Sequence, residues 1–266
     1  MSEVDLKVLH QQRANSLKTF ATANFAYMHA LKKIVYRLNG MRVSHDAVLL
    51  CGMDDRPSNQ PYYDAFAQST VTVIQTSDDI AALPNHQFDV VMINLVFSVD
   101  DIESVFAELQ QKLREGGVLI FCLLGPLTLS ELKRAFGAAH SRHVCSFYDM
   151  HDIGDCLLRL GFDAPVMESA PLTVRYREMN QFFQDLRATG CANSLVDRPR
   201  TLFGKKTWFR MIERYPVMET GLYPVTLDFV IGHAWRVNKK TVQSNGEVRV
   251  SLDQLTRRNR GGEKDQ

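Results

Sequence analysis

The interval between two apolar runs constrains this chain more than any other feature. Ala47 to Cys51 (AVLLC) carries no charge, and Phe88 to Leu95 (FDVVMINL) carries one, ending at polar Asn94. They read as the first and fourth strands of an open α/β sheet of nucleotide-binding type, continuously apolar because helices cover both faces. Such a sheet places a glycine turn, an acid for a ribose and two further strand-helix units between those strands. Only 38 positions separate Leu50 from Phe88. The interval holds one such unit, so the spacing predicts a sheet shortened by one βα unit.

Periodicity supplies the remaining elements. From Leu6 to Leu38, Phe20, Phe25, Met28, Leu31, Ile34, Val35 and Leu38 recur at helical steps opposite Lys32, Lys33 and Arg37, and Gly40 stops the run. A long amphipathic helical segment is expected, with a break near Ala21 to Asn24. Further strands are expected at Val71 to Gln75, Asp89 to Asn94 and Val118 to Leu123. Asp100 to Leu113 places Ile102, Val105, Phe106, Leu109 and Leu113 on one stripe, with Asp100 or Asp101 at the cap. Arg114 to Gly117 (REGG) then reads as a helix C-cap that feeds a strand.

A formal net charge of +1 argues against a field that would gather nucleic acid or a membrane surface. The five cysteines are scattered, odd in number and without a CxxC pair, which points to buried thiols rather than a disulfide framework or a zinc site. No metal ligands are expected. The amino-terminal residues are polar, and the longest apolar run, Val118 to Leu124, is too short to span a bilayer. A soluble, cytoplasmic protein is the expectation.

The segment FDVVMINLVFSVDDIESVFAELQQKLREGGVLIF resembles the second half of a class I S-adenosylmethionine-dependent methyltransferase. More specific are GPLTLSELKRAF (Gly125 to Phe136), HVCSFYDMHDIGDCLLRLGFDAPVME (His143 to Glu168), LTVRYREMNQFFQDLRATGCANSL (Leu172 to Leu195), DRPRTLFGKKTW (Asp197 to Trp208) and VIGHAWR (Val230 to Arg236). In order and spacing they are similar to the malonyl-acyl-carrier-protein O-methyltransferases of biotin synthesis, and to related hydroxylases of mitochondrial complex I assembly. The resemblance implies a Rossmann-like class I methyltransferase sheet, α/β, with helices on both faces, N-terminal helices and a C-terminal α+β lid. It implies S-adenosylmethionine as methyl donor and, as partner, an acyl carrier protein bearing a malonyl thioester. A malonyl carboxylate is already ionised at neutral pH, so the implied transfer needs orientation more than a general base. No catalytic residue is assigned.

The donor loop departs from that family. A D-x-G-x-G-x-G run is expected after the first strand, so that bare backbone can approach the methionine part of the donor. Here the place reads Leu49-Leu50-Cys51-Gly52-Met53-Asp54-Asp55-Arg56-Pro57, with one glycine. Met53 and Arg56 put side chains where glycines should be, and the preceding acid is replaced by Leu49 or Leu50. Cys51, Gly52 and Asp54 are the remaining candidates for donor contact there, with Asn94 and Leu95 across the sheet. The family separates the first strand from the FD-hydrophobic strand by roughly 60 residues, two complete βα units. One alignment makes Val71 to Gln75 the third strand and sets Asp79 at the adenine-contacting aspartate; the other makes it the second strand, with Ser77 or Asp78 at the ribose. Leu127 stands where many relatives carry an aspartate, a second polar loss.

On the substrate side, the resemblance singles out His151 and Asp152, which open a helix behind the good cap Asp149. His151 could equally do no more than tie that helix to a loop. Arg198, Arg200, Lys205 and Lys206 form a basic loop suited to an acidic carrier protein and its pantetheine phosphate, or else a solvated face. Tyr176 lies in an alternating strand pattern and reads as packed more readily than catalytic. The expected organisation is an N-terminal helical segment (1–44), an abbreviated α/β core (45–170), a C-terminal part completing sheet and lid (171–252) and a tail (253–266) of disordered composition. Three functions follow: a relative with weakened or lost donor binding and a retained carrier surface, an active carboxyl O-methyltransferase, or a hydroxylase or assembly factor.

Overall fold

The computed structural model describes residues 4–53, 56–96, 98, 101–137, 142–199 and 204–237. Six strands form one sheet: β1 (Ala47–Cys51), β2 (Thr70–Ile74), β3 (Phe88–Asn94), β4 (Leu113–Leu124), β5 (Phe162–Tyr176) and β6 (Tyr223–Arg236). Their order is β2-β1-β3-β4-β6-β5. The first four run parallel, while β6 is antiparallel to both β4 and β5. This is the Rossmann-like sheet with an antiparallel strand near one edge that the resemblance implied. Only β2 lies outside β1, so the single strand-helix unit in the short interval occupies the inner place and forms the edge itself.

Alternate residues of the parallel strands face opposite sides, as the pleat requires. Leu49, Val91, Ile93, Leu119 and Phe121 pack with Ile102, Phe106 and Leu109 of α5 (Ile102–Lys112) and Ile153 and Leu157 of α7 (Met150–Arg159). Val48, Leu50, Val90, Met92 and Ile120 pack with Leu31, Ile34 and Leu38 of α3 (Phe25–Asn39) and Tyr62 of α4 (Arg56–Ala65). Every residue of β1 and β3 is buried, which is why their sequences run apolar without alternation.

The expected N-terminal helix is three pieces, α1 (Leu6–Ser16), α2 (Phe20–Ala23) and α3, with turns on either side of the second. Gly40 closes α3. Arg114 to Gly117 is not a helix cap. The N–H of Leu113 ends α5 on the Leu109 carbonyl, and the four residues form a bulge inside β4 between the pairs Phe88–Leu113 and Val90–Val118. Gly116 takes φ +73° there, and a Cβ on Gly117 would stand 3.0 Å from the Asp89 carbonyl oxygen. Asp89 pins the bulge through Arg114 (3.0 Å) and also accepts from the Ala47 N–H (2.9 Å).

A second, smaller core lies beyond the C-terminal edge of the sheet. Leu132 and Ala135 of α6 (Ser130–Phe136), Met179 and Phe182 of α8 (Met179–Ala188) and Met211 of α9 (Lys205–Arg214) close on Tyr176 and Val225. Among the described residues no helix is long and apolar enough to cross a membrane. The strand-like segment after residue 237 and the tail lie outside the described residues.

Candidate functional site

The C-terminal ends of β1 and β3 face the turn between α2 and α3. Gly52 follows β1 and donates its N–H to the Ile74 carbonyl (2.9 Å). A Cβ at Gly52 would run into the hydroxyl of Tyr27. That hydroxyl donates to Asn59 Oδ1 (2.8 Å), and Asn59 Nδ2 donates to the Met53 carbonyl (2.8 Å). Asn94 Nδ2 donates to the Tyr27 carbonyl (3.2 Å), and Asn24 Nδ2 to Ser58 Oγ (2.6 Å). Tyr27 and Met53 are buried against Phe20, whose ring meets Tyr27 edge-on. The missing side chain of Gly52 thus accommodates the protein's own phenol. Each of these bonds is buried or partly so, and leaving one partner unmet costs about 1–3 kcal/mol, so the arrangement holds itself in place.

Of the expected donor contacts, Cys51 is fully buried and its thiol is pushed well above the ordinary range by burial, which leaves it without thiolate character. Asp54 lies outside the described residues. Asp79 spends its carboxylate on a capping box, accepting from Thr76 N (3.2 Å) and Thr76 Oγ1 (2.8 Å). Leu127 is half exposed and does not line the cavity, whereas its neighbour Thr128 does. Asn94 is buried at the end of β3, and Leu95 adopts φ +61°, a left-handed conformation that costs a side-chain-bearing residue energy and tends to mark functional sites.

A cavity of about 950 Å³ opens from this point and is lined by Met53, Asn94 and Leu95 at one end and by α1, α6, α8 and α9 elsewhere. Its walls are mostly aromatic and aliphatic. Tyr176 is one of them: its hydroxyl donates to Asp185 Oδ2 (3.0 Å), and burial together with that carboxylate pushes the phenol up. His143 stacks on Phe136 with ring centres 4.0 Å apart, and burial, then Arg142, lowers its pKa. Cys145 also lines the cavity, its thiol pushed up to about 11 by burial.

The remaining expected residues are scattered. His151 stands outside the cavity, largely exposed, its Nδ1 2.6 Å from Asp149 Oδ1, and Asp152 is exposed beside it. Arg198 binds the Leu195 carbonyl (2.7 Å) and lies 3.5 Å from Asp5, holding the start of α1 against the segment after α8 rather than presenting a free cation. Arg200 lies outside the described residues. Lys205 and Lys206 are exposed at the start of α9, and Lys205 borders the cavity. Sequence reasoning missed Tyr27, Asn59 and Asp185. Tyr27 shares the helical stripe of Leu31 and Ile34, which marks it as core but gives no sign that its hydroxyl reaches Gly52.

A family profile described as a methyltransferase domain matches residues 23–121. The chain is 38% identical over 188 residues to malonyl-acyl-carrier-protein O-methyltransferase 1 of Coxiella burnetii, covering 68% of this chain and 66% of that protein. It is 40% identical over 163 residues to the malonyl-acyl-carrier-protein O-methyltransferase of Gallionella capsiferriformans, covering 59% and 56%. With the protein of that name from Nitrosospira multiformis it shares 37% identity over 187 residues, covering 68% and 61%. The matched region therefore spans 56% to 66% of these curated relatives' length. Among solved structures, the YcgJ protein of Bacillus subtilis superposes with a TM-score of 0.50 at 9% identity, over 79% of this chain and 99% of that one, a likeness of fold alone.

Proposed function

This chain belongs to the malonyl-acyl-carrier-protein O-methyltransferase family of class I S-adenosylmethionine-dependent methyltransferases, and we propose that it keeps the family's acyl-carrier-facing half while having lost affinity for the methyl donor. Tyr27 carries this reading. Its hydroxyl fills the open side of Gly52, where the family's glycines leave bare backbone for the donor, and Met53 is buried beside it. The described residues argue against the donor: the phenol of Tyr27, held by Asn59, stands on the open side of Gly52, and Asp79 gives one carboxylate oxygen to Thr76. A carrier protein remains the natural partner, met through Lys205 at the rim of the cavity and the exposed Lys206 next to it rather than through Arg198. Calorimetric titration of the purified protein with S-adenosylmethionine tests the proposal. No heat of binding is expected up to millimolar donor, and a micromolar Kd would sink it.

One observation favours a second reading, that of an active carboxyl O-methyltransferase. The cavity reaches Asn94 and the left-handed Leu95, at the carboxyl ends of the strands where open α/β sheets bind their ligands. On that reading Tyr27 swings aside when the donor enters. Micromolar binding in the same titration would favour it.

A further inference from the structure

We propose that the cavity between α1, α6, α8 and α9 is a binding site for a single medium-to-long acyl chain with an anionic or polar head at its rim. Three observations carry this inference. The first is size: at about 950 Å³, counted with its end at Met53, Asn94 and Leu95, the cavity lies at the top of the range, about 300–1,000 Å³, that holds drug-sized ligands, far beyond what a three-carbon diacid fills. The second is the chemistry of the wall, where Phe136, Phe182, Phe183 and Trp208 present rings and several of the polar side chains beside them are already engaged. Tyr176 bonds Asp185, Asn193 binds the Arg142 carbonyl (2.8 Å) and accepts from the Leu195 N–H (3.1 Å), and Thr128 pairs with the Asp228 backbone. A ligand with a polar body would find few groups to receive it, whereas a hydrocarbon displaces water at no such cost.

The third observation is the rim. Phe209 is 67% exposed and borders the cavity, and Lys205, one helical turn earlier on the same face of α9, is exposed beside it. An exposed aromatic ring next to a cation at the mouth of an apolar cavity suits a chain that enters tail first and leaves its charge outside. A free fatty acid and an acyl thioester on a pantetheine arm share that chemistry. The rings and the rim lie on α6, α8 and α9, at the end of the cavity opposite Met53, Asn94 and Leu95.

Titration of the full chain with octanoate, decanoate and laurate, and separately with the matching acyl-pantetheine thioesters, all below their aggregation limits, tests it. Saturable binding at one equivalent per chain is expected, with affinity rising about fourfold per added methylene until the cavity is filled. Lys205→Glu should weaken every fatty acid by a common factor and leave the increment per methylene unchanged, while Phe209→Asp should lower the affinity of the whole series. Both positions are exposed, so neither change threatens folding. Binding of the acids alone or of the thioesters alone upholds the site and names its source. Absence of binding in both series, or an affinity indifferent to chain length, overturns the proposal, and the titration with S-adenosylmethionine, run without acyl ligand, tests the loss of donor affinity separately.

Discussion

Gly52 is the one glycine left in a loop that the family fills with them, and what it faces is a side chain of the same protein. A methyl group placed there meets a hydroxyl that Asn59 holds in position, so Gly52→Ala should destabilise by about 1–3 kcal/mol through overpacking. Tyr27→Phe removes the obstacle but leaves Asn59 Oδ1 buried without its donor, again about 1–3 kcal/mol. The double variant should therefore lose less than the two single losses added together, because the second change makes room for the first. Urea midpoints of the four proteins check this, and strict additivity would show that Tyr27 does not press on Gly52. The sequence showed that the loop had lost its glycines and its preceding acid. It could not show what took the vacated space, since Tyr27 is 25 positions away and its helical spacing speaks only of burial.

At the scale of elements, α1 and the turn after it are tied to the segment that follows α8. Val4 bridges to Leu195, the Asp5 N–H donates to the Ser194 carbonyl (2.8 Å), and Thr19 Oγ1 donates to the Ala188 carbonyl (3.0 Å). Gly190, at φ +69°, lets this segment pass so close that a Cβ would stand 2.7 Å from the Arg13 Cα. Arg198 fastens the same junction to Asp5. Arg198→Glu would set two carboxylates together beside a carbonyl. Both side chains are partly solvated, so the global loss should be only about 1 kcal/mol. Local opening should respond more strongly: native-state proteolysis within the N-terminal helices is expected to quicken several-fold, while Lys206→Glu, an exposed change, leaves it unaltered. Equal rates in all three proteins would remove Arg198 from this junction. Periodicity made the strands and α5 legible, because each buries a stripe or two faces in regular steps. The REGG bulge was not legible, since Gly-Gly after a helix reads as a cap and only the register against Asp89 reveals a strand.

Across the whole molecule, buried titratable groups set the pH range of stability. His29, His143 and His233 all have pKa values lowered from 6.5, each by burial first and then by neighbouring cations. A histidine with a depressed folded pKa is protonated first in the unfolded chain. Its contribution to stability is therefore complete above about 6.5 and is lost as the pH falls below that value. Cys51 of β1 and Cys122 of β4, both fully buried, have thiols raised from 9.0, so they stay neutral in the fold while the unfolded chain ionises. That contribution is complete below about 9 and is lost as the pH rises past it. Stability should thus run level between about pH 6.5 and 9 and fall on both sides. Urea midpoints from pH 5 to pH 10 measure the profile. His29→Gln, His143→Gln and His233→Gln together should flatten the acid limb and leave the alkaline one, whereas Cys122→Val should reduce the alkaline limb alone. A profile that keeps its acid limb after the histidine changes would mean that carboxylates, not these imidazoles, govern the loss.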